Sequence, residues 1–102
     1  MPNGETRNWV RFCAAIDGFR QRFERWPTKV AVDPVIYEDL QWMFSEKAFR
    51  ELNSRVRLDV RQGAMIAAED GEGHVYDYGE EGFPSERPQP SAGDWLGVHP
   101  EE

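Results

Sequence analysis

The chain has a single cysteine, Cys13, and two histidines, His74 and His99. One cysteine excludes an internal disulfide framework and a cysteine-rich zinc site, and this usage fits a reducing cytoplasm. No apolar run approaches the roughly 20 residues that a membrane-spanning helix needs. The opening stretch MPNGETRNW has no apolar core of the kind a secretion signal carries. The signatures of common catalytic machinery are also missing: there is no Gly-x-Ser-x-Gly elbow, no His-Glu-x-x-His pair and no phosphate-binding Walker loop. Basic residues are scarce in one half of the chain. Residues 63–102 hold one, Arg87, against 10 Asp and Glu, for a net charge of −9, whereas residues 1–62 carry +2. Such a split predicts that the two halves attract each other or that the acidic half attracts a basic partner.

The chain is rich in aromatics. They make up 13% of its 102 residues, enough apolar surface for one small folded domain and too much for a wholly disordered chain. In residues 8–25, Trp9, Phe12, Cys13, Ile16, Phe19 and Phe23 recur at spacings of three and four, the pattern of an amphipathic helix. Arg7, Arg11, Arg22 and Arg25 fall on its other side. Gly18 interrupts the helix and marks a place where another element comes close. Trp26-Pro27 stops it, because the residue before a proline avoids helical geometry, and Trp26 is expected to pack at the corner. TKVAVD, residues 28–33, reads as a short strand with Val30 and Val32 on one face. Asp33-Pro34 and Ser45 read as two helix starts, with Ile36, Leu40, Met43 and Phe44 inward from the first and Phe49 and Leu52 inward from the second.

RVRLDVR, residues 55–61, alternates as a half-buried strand. AMIAAE follows a Gln62-Gly63 turn, and EDGEGH, residues 69–74, is a hairpin loop leading into HVYDY, residues 74–78. From Gly79 onward prolines and glycines predict an extended acidic tail without regular structure, anchored by Trp95 and Leu96, with a loose end at 99–102. The expected fold is α+β: an N-terminal amphipathic helix and a short helix pair packed on one face of a small antiparallel sheet, formed by a three-stranded meander plus a short extra strand.

Four kinds of site follow from these residues. His74 and Asp77, with Asp70, Glu72, Glu80 and Glu81, are candidate ligands for a metal. Strand alternation separates His74 from Asp77, however, and the loop lacks the ligand spacing of a calcium-binding hand. An enzyme would have to use His74 with the nearby carboxylates, or Cys13, which lies on an apolar helix face where a buried thiol is common. Two arginine stripes, Arg7, Arg11, Arg22 and Arg25 on the helix and Arg55, Arg57 and Arg61 on the strand, offer a secondary basic face for phosphate, which the negative total charge opposes. The fourth site is the surface of Tyr76, Tyr78, Glu80, Glu81, Phe83, Glu86 and Trp95, where aromatics supply anchors and carboxylates supply steering.

The sequence therefore predicts a non-enzymatic interaction module without cofactor or bound metal, whose partner is another protein with a basic surface. A more specific form of that reading is an acidic modulator of a nucleic-acid-binding machine, of the kind phages and mobile elements encode. The enzyme or metal protein built on His74 is the remaining alternative.

Overall fold

The structure is a computed structural model that describes residues 3–100. Helix α1 (Asn3–Phe23) is followed by β1 (Lys29–Val32), the helix pair α2 (Pro34–Met43) and α3 (Glu46–Arg55), then β2 (Arg57–Val60), β3 (Ile66–Glu69) and β4 (Val75–Asp77). Two short helices close the chain, α4 (Tyr78–Glu81) and α5 (Ala92–Leu96). The result is α+β, and no described helix is long and apolar enough to cross a membrane.

The local signals explain the element ends. α1 stops where Glu24 takes a left-handed backbone conformation (φ 59°), just ahead of Trp26-Pro27. Asp33 accepts a hydrogen bond from the Val35 amide, and Pro34 opens α2. Ser45 does the same for the Ala48 amide of α3, and the extended backbone of Phe44 separates the two helices. In the hairpin between β3 and β4, the Asp70 carboxylate accepts from the amides of Glu72 (2.8 Å) and His74 (3.2 Å).

The sheet differs from the meander expected. Its order is β2-β1-β3-β4, with β1 parallel to β2 and antiparallel to β3. β1 thus sits between two strands that are consecutive in sequence, and the Gln62-Gly63 turn carries the chain past it. Val30, Ala31 and Val32 are all fully buried. An uninterrupted apolar run of this kind is what an interior strand requires, whereas the alternating β2 tolerates an edge. The α2–α3 pair supplies the long crossover that a parallel pairing needs.

Val30, Val32, Ile66, Ala68 and Tyr76 project from one face of the sheet into the core. There they join Phe12, Ile16 and Phe19 of α1 and Leu40, Met43 and Leu52 of the helix pair. On the opposite face Lys29 and Arg61 pair with Glu69, and Arg61 with Asp59.

The C-terminal stretch also departs from expectation. Tyr78 leaves the strand and opens α4, and α5 is a second helical turn with Ser91 as its cap. Ala92, Leu96 and Val98 are buried within the same core cluster. Trp95 stacks flat on Trp26, with ring centroids 4.5 Å apart and planes 3° apart. Of the end at 99–102, residues 101 and 102 lie outside the described residues.

Candidate interaction surface

Alternation along β4 turns Tyr76 inward and leaves Val75 at the surface. Tyr76 is 4% exposed, and its hydroxyl donates to the Gly82 carbonyl at 2.8 Å. Its ring lies against the bare backbone of Gly18, where an added Cβ would come within 2.3 Å of it. The Arg22 guanidinium lies over the same ring at 5.0 Å and forms a two-pronged ion pair with Glu81, which holds the Glu81 carboxyl below its ordinary range. Tyr76 thus belongs to the core, and Glu81 is engaged in an ion pair at the surface beside it. Asp77 turns to cap α4, accepting from the Gly79 amide.

Tyr78 is half-buried and meets Phe83 edge to face at 5.3 Å. Phe83 itself is 59% exposed. Glu80 and Glu86 are exposed, and neither forms an ion pair among the described residues. Trp95 is partly buried against the core, in its stack with Trp26.

Between α1 and the segment 83–99 runs a groove of about 570 Å³. Trp9, Val10, Cys13 and Ala14 form its helical wall, Phe83 and Pro84 face them, and Asp17, Glu86 and Asp94 supply carboxylates. Asp17 is 5% exposed, and its Oδ1 accepts the Ala92 amide of α5 at 2.7 Å. Burial raises its pKa above the ordinary aspartate value, and nearby Asp94 adds to the rise. The Ala92 amide and Arg87 pull the other way. The Cys13 thiol is pushed up to about 12, chiefly by burial and then by the Asp17 charge. A raised thiol pKa favours the protonated form over the nucleophilic thiolate.

The two arginine stripes are divided by ion pairing. Arg22 and Arg61 are engaged as described, and Arg25 reaches Asp70 and Glu72. Arg7, Arg55 and Arg57 are exposed on three different elements, and Arg11 is half-buried on α1. Among the described residues, ion pairing thus engages Arg22, Arg25 and Arg61 of the two stripes.

His74 lies with Asp70 and Glu72, not with Asp77, and these three offer ligand atoms within 4.8 Å of one another. The cluster is already occupied by protein. Arg25 contacts both carboxylates, and His74 Nδ1 is 2.7 Å from Asp70. A guanidinium among the ligand atoms opposes a cation there.

Burial of Asp70 tends to raise its pKa, but the amides of Glu72 and His74 and the His74 ring outweigh that and hold it at about 2, below an ordinary 3.8. The folded pKa is depressed, so the stabilisation is present above pH 3.8 and is lost as pH falls towards 2. Asp70→Asn is therefore expected to lower the urea midpoint at neutral pH and to flatten the acid limb between those values, with both proteins converging near pH 2. Equal midpoints at neutral pH would count against this role.

Sequence reasoning missed two residues. Asp17 stands beside the apolar stripe of α1, four residues after Cys13, and a lone carboxylate in that position was the available signal. Trp42 is 82% exposed on the outer side of α2, beside Glu38 and Gln41, while Leu40 and Met43 point inward. Compared with protein-family models, curated proteins and solved structures, the chain matches none.

Proposed function

We propose that this chain is a small non-enzymatic interaction domain. It docks a basic segment of another protein along the groove between α1 and residues 83–99. The observation that carries this reading is the pairing of an exposed aromatic, Phe83, and an apolar wall with carboxylates that the protein leaves unmatched. An apolar anchor flanked by opposite charge is the arrangement that gives interfaces both affinity and orientation. Much of the acidic surplus in residues 63–102 goes to internal ion pairs at Glu69, Asp70, Glu72 and Glu81. Glu80, Glu86 and Asp94 are the part of that surplus that lies around Phe83 and the groove and forms no ion pair among the described residues.

The test is an amide-shift NMR titration at low salt with two synthetic peptides. One alternates Leu with Arg, and the other alternates Leu with Glu. Shifts should appear at Val10, Ala14 and Phe83 with the basic peptide only. Phe83→Ala and the Glu80→Gln, Glu86→Gln pair should each weaken binding by about tenfold. Unchanged affinity in both variants would sink the docking surface.

A further inference from the structure

Asp17 is the least solvated carboxylate on the groove and is incompletely matched. Its side chain is 7% exposed. Oδ1 is committed to the Ala92 amide, and Oδ2 has no hydrogen bond among the described residues. The cation nearest to Oδ2 is Arg87, whose Nε stands 3.9 Å away, beyond hydrogen-bond reach, on a side chain that is 74% exposed. Arg87 lies in the irregular stretch between α4 and α5, and both it and Asp17 line the groove. A solvated guanidinium at this distance gains little from the contact. Oδ2, on a largely buried side chain but itself open to the groove, gains more from a close charge-assisted donor.

We propose that the Asp17 end of the groove receives one arginine side chain of the docked partner and that Arg87 is its internal placeholder. The inference rests on the docking reading above. Exchange of one guanidinium for another leaves a cation beside Asp17 in both the free and the docked state. Most of the desolvation of the carboxylate has already occurred in the fold, where α5 seats its first amide on Oδ1. Arginine suits the site better than lysine. Its guanidinium is planar, more weakly hydrated and able to lie against an aromatic ring, and Trp9 and Phe83 both line the groove. The same chemistry recurs inside the protein, where Arg20 lies over Trp26 at 5.3 Å and Arg22 over Tyr76 at 5.0 Å.

The test uses the basic peptide of the docking experiment in three forms, with its arginines kept, replaced by lysine, or replaced by uncharged citrulline. Binding is measured by calorimetry to the wild type, Asp17→Asn and Arg87→Ala. Asn retains an oxygen for the Ala92 amide, so Asp17→Asn keeps the seat of α5, and Arg87 is exposed enough for its removal to leave the fold intact. The wild type should favour arginine over citrulline by about tenfold and over lysine by about threefold. Asp17→Asn should erase that preference, and Arg87→Ala should tighten the arginine peptide by about threefold by removing the placeholder. If Asp17→Asn binds the arginine peptide as the wild type does while Phe83→Ala weakens it, the arginine receptor is overturned and the docking groove stands. If no peptide binds either the wild type or Arg87→Ala, both fall. Free spermidine or arginine amide binding as tightly as the peptide would overturn the partner side chain in favour of a small cation.

Discussion

Truncation after Gly79 is expected to abolish cooperative folding. The segment removed contains Ala92, Leu96 and Val98, all within the main core cluster. Burial of a side chain such as Leu or Val contributes about 1.5–3 kcal/mol, and a domain of this kind has only about 5–15 kcal/mol in total. The cut also removes the Gly82 carbonyl that receives the Tyr76 hydroxyl, the Glu81 partner of Arg22, and Trp95 from its stack on Trp26. Without α5, the Asp17 carboxylate loses the amide it accepts. Circular dichroism during urea titration should show a broad, early transition or none. The point variant Leu96→Ala should fold but lose about 2–5 kcal/mol, the usual cost of emptying a closed leucine site. A truncated chain with the full-length midpoint would mean that residues 80–102 contribute nothing to the core.

Gly18→Ala is expected to destabilise the protein, against the ordinary rule for helix interiors. Alanine normally gains about 1 kcal/mol over glycine in a helix. Here the new Cβ would stand 2.3–2.6 Å from three atoms of the Tyr76 ring, far inside contact distance. The ring cannot back away freely, because its hydroxyl is tied to Gly82 and Arg22 lies against it. Overpacking of this kind costs about 1–3 kcal/mol, more than the helical gain. The mechanism is checked by a double-mutant cycle with Tyr76→Leu. In that background the clash is gone, and Gly18→Ala should become neutral or stabilising. An equal loss in both backgrounds would show that the Tyr76 contact is not the cause.

Both predictions mark the limits of local reading. Gly18 in the middle of the apolar stripe pointed to a close approach, and only the fold identifies Tyr76, 58 positions later, as the element that makes it. The helix starts at Pro34 and Glu46 were legible because a cap, a proline and an apolar period lie within a few residues of one another. The end of α1 was legible for the same reason. Strand β4 falls within the expected HVYDY but is one residue shorter at each end: His74 stays in the hairpin, and Asp77 gives its carboxylate to a new helical turn that opens at Tyr78.

By itself the sequence determined the α+β character, the position of most helices and strands, the inward face of α1 and the unequal charge of the two halves. These depend on periodicity, capping and composition, which act between near neighbours. The tertiary structure alone decided that β1 lies between β2 and β3, because pairing across 25 or more residues is chosen by which strand can be buried on both faces. It alone decided which acids meet arginines and which remain open to solvent. It alone joined Trp9, Val10 and Asp17 of α1 to Phe83, Glu86 and Asp94 in one groove. Chain closure over some 70 residues sets that juxtaposition, and no local pattern in either segment encodes it.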